Sequence, residues 1–236
     1  MEHSLLAIFG LGLVYGLQHA TDADHLVAVS TIVSEHKSLK WASFIGAFWG
    51  LGHTTTLFLV GLIVIGLRVT IPPRVALSLE FLVAVMLVVL GLRILWRSFG
   101  VNKIHLHAHA HSPETHKHFH VHDSHAQDHR HEHPFKSMRR PFVVGMVHGL
   151  AGSAALMLLV LTTIPSALAG MAYIVIFGIG SVGGMLLLSG LIGLPFVLTA
   201  QRFSRMNRWI QVVAGVASLL FGLHLGWDIG FNEGLF

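Results

Sequence analysis

Apolar residues in this chain fall into blocks long enough to cross a bilayer, separated by short polar connections. A spanning helix needs about 20 apolar residues. The blocks predict six such helices, roughly Ser4–Val33, Trp41–Leu67, Val75–Phe99, Pro141–Ile164, Met171–Thr199 and Trp209–Ile229. The expected fold is therefore an all-α polytopic membrane protein. The pattern divides the chain into three parts: a first three-helix repeat over 1–99, a polar loop over 100–140, and a second three-helix repeat over 141–236.

One interruption stands out. The first block is too long for one straight span, and its middle reads His19-Ala20-Thr21-Asp22-Ala23-Asp24-His25. One charged residue at the bilayer centre costs about 2.5–3.5 kcal/mol even on the lenient insertion scale. Two imidazoles and two carboxylates in seven residues must therefore face each other, water or an ion. On an ideal helix His19 and Asp22 share a face, while Asp24 and His25 turn away from it. Either the helix unwinds near Thr21–Asp24 or these groups serve different neighbours. A broken helix at mid-membrane is a common device for transporter ion sites. A divalent cation would turn the polar groups from a cost into a ligand set, so the stretch reads as the core of an intramembrane metal path.

Other polar residues extend that picture. His53 lies within the second block in Leu51-Gly52-His53-Thr54-Thr55-Thr56. His148 opens the second half in Gly145-Met146-Val147-His148-Gly149. Gly16-Leu17-Gln18-His19 resembles the latter at an offset of 129 residues, from His19 to His148. At that offset Phe48 falls on Phe177 and Gly61 on Gly190, and with two more residues Gly91 falls on Gly222. Three spans per copy would invert the second copy, the 3+3 plan of many secondary transporters. Asp22 and Asp24 map to Ala151 and Ser153, so the ligands come mainly from the first half, with His148 added. Gly12/Gly16, Gly46/Gly50 and Gly180/Gly184 have the small-residue spacing of closely packed membrane helices. Glu80 and His224 lie near block ends and read as interfacial.

Composition agrees. The chain is 53% hydrophobic and 11% charged, against about 25% charged in soluble domains. With no cysteine, a metal site must use nitrogen and oxygen ligands, which suits nickel, cobalt, manganese, iron or zinc. No phosphate-binding loop of an ATP motor is present. Of the 15 Lys and Arg, all but Arg68 and Arg74 fall on one side of a six-span arrangement. By the positive-inside rule that side is cytoplasmic, which places both termini outside and the 100–140 loop inside. That loop holds twelve of the 19 histidines, between His105 and His133. With almost no large apolar residues it cannot build a core, so disorder and metal binding are expected. At the N-terminus, Met1-Glu2-His3 could wrap a square-planar ion with its amine, two amides and the His3 imidazole. His3 is therefore a further candidate metal residue.

The His19–His25 stretch has the H-x-x-x-x-D-H form of the nickel–cobalt transporter (NiCoT/NicO) family, and Leu51-Gly52-His53 resembles that family's second signature. His148-Gly149-Leu150-Ala151-Gly152-Ser153 is similar to its short, six-span, urease-accessory-like permeases. The resemblance implies uptake of Ni²⁺ or Co²⁺, with His19, Asp24 and His25 essential. The candidate metal residues are then His19, Asp22, Asp24, His25, His53, His148 and His3. The expected partners are the divalent ion, the lipid bilayer and a cytoplasmic metallochaperone, with no nucleic acid and no prosthetic group. The six-span exporters of the wider superfamily also carry His-rich loops, so efflux is the alternative direction. An intramembrane metal-dependent hydrolase could use the same residue types, but nothing resembles H-E-x-x-H and no general base stands apart from the ligands. The chain is not expected to be an enzyme.

Overall fold

The computed structural model describes residues 2–36, 38–99, 105–111, 114–120, 134–164, 166–200 and 203–236. Among them are seven α-helices: α1 (Glu2–His19), α2 (Ala23–Val33), α3 (Leu39–Leu67), α4 (Pro73–Phe99), α5 (Pro134–Thr163), α6 (Ala167–Ala200) and α7 (Ser204–Trp227). A π-helical turn, Asp228–Asn232, closes α7. Four segments of the described residues are long and apolar enough to cross a membrane: α3, α4, α6, and α7 with its π-helical turn. The first apolar block is not one helix. It breaks at Ala20–Asp22, inside the polar motif, and resumes as α2.

Within the His-rich loop, β1 (His105–His111) and β2 (Glu114–His120) pair antiparallel, with His107 opposite His118 and His109 opposite His116. The strict every-second-residue histidine pattern of the first strand has the period of a strand. This hairpin stands where disorder is the expectation from composition. Residues 121–133 lie outside the described residues. The second half begins before its expected boundary, because α5 starts at Pro134 and continues through Pro141.

Packing is dominated by α3, which lies against both α5 and α6; α1 packs on α6, and α4 on α7. Glycines make these approaches possible. A side chain at Gly16 would meet the α6 backbone at Phe177 and Ser181, and one at Gly145 would meet the α3 backbone at Trp49. Gly52 faces Phe142 and Met146 of α5, and Gly180 faces Leu13 and Leu17 of α1. Gly91 faces Gly215 and Leu219, and Gly222 faces Ala84 and Val88. Exchanging α1 with α5, α3 with α6 and α4 with α7 turns each of these contacts into another of the set. In this packing Trp49, rather than Phe48, corresponds to Phe177. The six glycines in small-residue spacing all face the α6 interface with α1 or α3.

Where α2 ends, Glu35 binds Arg97 at 2.8 Å, Arg140 at 3.0 Å and Arg93 at 3.7 Å. This joins the end of α2 to α4 and α5. Beside it, Gln211 of α7 donates to the Ser34 carbonyl at 2.9 Å. Burial alone would raise the Glu35 pKa. The Arg97 hydrogen bond and the charges of Arg140, Arg97 and Arg93 outweigh that and hold it below the usual range.

Candidate metal centre

The break between α1 and α2 places the polar motif at one cavity of about 210 Å³. His19, Asp22, Asp24, His25, His53 and His148 all line it, from α1, the break, α2, α3 and α5. So six of the seven candidate residues come together. The His3 side chain lies outside the described residues.

The local chain explains the orientations. Asp22 occupies the N-cap position of α2, yet its side chain makes no cap hydrogen bond. Its carboxylate instead sits 2.7 Å from His19 Nδ1. Asp24, in the first turn of α2, accepts the His25 backbone N–H at 2.9 Å and pairs with His25 Nδ1 at 3.0 Å. Its other oxygen pairs with His148 Nε2 at 2.9 Å. Both carboxylates lie at the positive end of the α2 dipole, which favours their charge. The C-terminal end of α1, with its partial negative charge, points at the same cavity and favours a cation there.

These contacts aim the imidazole nitrogens. With Nδ1 of His19 and of His25 each on a carboxylate, the Nε2 atoms remain to face the cavity. His19 Nε2 lies 3.1 Å from His53 Nε2. His25 Nε2, His53 Nδ1 and His148 Nδ1 are buried without a hydrogen-bond partner. A buried polar nitrogen left unpaired is costly unless something else fills it. Imidazole binds first-row metals at about 2.0–2.1 Å, which puts two ligands of one ion about 3 Å apart. Two overlapping groups have potential ligand atoms within 4.8 Å of one another, His19–His25–His53 and Asp24–His25–His148. A carboxylate behind an imidazole fixes its tautomer and ring angle and makes it a stronger donor.

Burial holds the rings in place. His25 is 1% exposed and His53 0%. Trp49 stacks on His25 at 5.4 Å and 27°, and Phe177 lies 5.4 Å from His19. The hydroxyls after His53 lie outside the cavity lining, and Thr54 donates to the Gly178 carbonyl, Thr55 to that of Leu51 and Thr56 to that of Gly52. The cavity also includes Glu80 of α4, so this side chain is not simply interfacial. Its sequence signal, one acid in an apolar helix, is the same whether it meets headgroups or a cavity. His224 is exposed and lies outside the cavity lining.

The comparisons with known proteins point the same way. The chain is 40% identical to the urease accessory protein UreH of Bacillus sp. (strain TB-90), across 98% of this chain and 96% of that protein. It is 23% identical to the chloroplast protein FOR GROWTH AND FERTILITY 1 of Arabidopsis thaliana, across 90% of this chain and 56% of the plant protein. No solved structure matches it. Residues 5–208 match the family described as high-affinity nickel-transport protein, NicO, and a match over most of the chain, with the motif and all of the cavity lining but Leu225, makes this protein a member of that nickel-transport family.

Proposed function

We propose that the protein is a secondary transporter that takes Ni²⁺, and Co²⁺ with it, into the cell through the His/Asp centre. The observation that carries this is the pairing of His19 and His25 each with its own carboxylate, beside the His53 ring. His19 stands on Asp22 and His25 on Asp24, while His19 and His53 present nitrogens 3.1 Å apart. The cluster contains no lysine or arginine to neutralise its carboxylates. A divalent cation supplies the missing charge and gives the unpaired His25 Nε2 a partner. His19, His25 and His53 hold the ion, Asp22 and Asp24 hold the rings, and His148 ties the second half to the centre through Asp24. His3 is a capture group at the outer end of α1.

The membrane arrangement follows from the same reading. The broken pair α1–α2 and the helix α5 join the four long apolar segments to make six spans. The exchange of contacts between α1–α6 and α5–α3, and within α4–α7, supports an inverted 3+3 repeat with the site at its centre. The Glu35–arginine end then faces the cytoplasm, with the His-rich loop, by the positive-inside rule. His53 and His148 lie near the middle of α3 and α5, while Glu80 and Leu225 lie toward the opposite ends of α4 and α7. The cavity therefore extends toward the outside, and the Glu35 cluster closes the inner end. The ion enters from outside, exchanges water for imidazole, and leaves inward when the Glu35 contacts part. A cytoplasmic metallochaperone receives it.

Import needs no coupled ion. A divalent cation gains about 4.6 kcal/mol per 100 mV on entering an inside-negative compartment. The test is uptake of radioactive nickel by proteoliposomes under an imposed potential. Inside-negative potential should accelerate uptake and the reverse potential should suppress it. Flux that runs only outward, or that ignores the potential, sinks the proposal of import.

A further inference from the structure

Glu80 is the one charged side chain between Val75 and Leu92 of α4, and the structure turns it toward the metal cavity. Val83, one turn further along the same face, is 3% exposed and also lines that cavity. A half-buried carboxylate ordinarily has a cationic partner. Among the described residues, none pairs with Glu80. The charged group that acts on it is Glu233, a second carboxylate, from the segment after α7. Like charges side by side repel, so this arrangement costs energy in the absence of a cation.

The opposite end of the α4–α7 pair differs. The contacts that exchange Ala84 with Gly215 and Val88 with Leu219 make Gln211 the counterpart of Glu80. Gln211 is neutral and is already bonded to the Ser34 carbonyl and to Asn207. The path thus has a free carboxylate on the side of the cavity and a satisfied amide on the closed side.

We propose that Glu80 is a second binding station for the divalent cation. It lies at the mouth of the cavity and loads the His/Asp centre. The station holds the ion with much of its water still attached, because one carboxylate cannot replace a hydration shell. Its negative charge raises the local cation concentration, and its weak hold lets the ion pass on to the imidazoles. This rests on the transport reading above.

The experiment compares wild type, Glu80→Gln and Glu80→Asp in nickel-uptake proteoliposomes over a range of nickel concentrations and ionic strengths. Glu80→Gln should raise the half-saturating nickel concentration on the order of three- to tenfold, the scale of electrostatic focusing, and keep the maximal rate within about twofold. It should also flatten the dependence of that concentration on salt, since screening acts on the charge that was removed. Glu80→Asp should restore both. An unchanged half-saturation and salt dependence in Glu80→Gln overturns the station, and so does a loss of maximal rate that Glu80→Asp fails to restore. If wild type carries no nickel at all, the transport reading fails instead. The station is then judged by equilibrium dialysis of the solubilised protein against nickel, where identical binding by wild type and Glu80→Gln overturns it and weaker binding by Glu80→Gln supports it.

Discussion

Asp24 and Glu35 sit at the two ends of α2, and the fold gives them opposite company. Asp24 is bonded to His25 and His148. Glu35 is held by Arg93, Arg97 and Arg140. Both carboxylates are shielded from bulk water, and both need positive charge nearby. At Glu35 the protein supplies it permanently, since a guanidinium does not lose its proton. At Asp24 the neighbours can be neutral imidazoles with nitrogens to spare. One end of the helix is a lock that is complete by itself. The other lacks a fixed cation, and in the proposed reading an ion from outside completes it. On that reading the absence of a fixed cation beside a carboxylate is what makes it a transport site.

The most direct way to break this contrast is to remove the incomplete charge. Asp24→Asn keeps the shape, loses the charge and leaves either His25 or His148 facing an amide NH2 in place of an acceptor. Nickel uptake by proteoliposomes should fall at least a hundredfold, and His25→Ala should do the same, while both proteins remain in the membrane. Wild-type uptake by Asp24→Asn would remove the carboxylate from the mechanism. Asp22→Asn tests the carboxylate that only holds a ring. The loss of such a partner typically costs about 10–100-fold in metal affinity, so nickel binding should weaken by that much without being abolished.

The lock should answer differently. Glu35→Gln leaves three arginines facing one another at the closed end. Stability should fall, at about 2–4 °C of melting temperature for each kcal/mol lost, while nickel affinity changes little. The pH dependence has a definite sign. The Glu35 pKa is depressed in the folded protein, so its contribution is present above the unfolded value, near about 4.3, and is lost as pH falls through the folded value. The difference in melting temperature between wild type and Glu35→Gln should therefore shrink as pH is lowered below about 4. A constant difference would show that the glutamate's charge is not what binds the arginines. The smallest effect is expected from deleting Leu106–Glu132. The initial uptake rate should stay within about twofold, as for a store of imidazoles outside the conduction path, and the plateau of accumulation should change. Complete loss of initial uptake in a well-inserted deletion would move the loop into the path.

Much of the centre was readable before any coordinates. Four polar groups in an apolar block cannot be tolerated without partners, so the need of the His19–His25 motif for a partner follows from solvation, with unwinding one of two ways to meet it. His53 and His148 were legible for the same reason. The match between the two halves slips by one residue against the glycine contacts of α3 and α6, because Leu, Val, Ile and Gly repeat too often to set a register. Contacts at Gly52 and Gly180 set it instead. The His-rich loop shows the reverse failure, since its composition suggests no core yet two of its stretches pair as strands.

What the chain alone determined was therefore the inventory: an apolar helical protein, a polar His/Asp motif in its first block, and histidines to add to it. These follow from transfer free energies, which are local and additive enough to read along one dimension. The tertiary structure decided how each group is used. Spacing could not say that Asp22 holds His19 while Asp24 bridges His25 and His148, because that depends on where α5 brings His148. Nor could it give Glu35 and Glu80 their surroundings, although one lies in a polar connection and the other in an apolar block. Three arginines distant in sequence converge on one, and a cavity of imidazoles opens beside the other. The partners of a charge are chosen by packing between helices, and that information is not carried by any single segment.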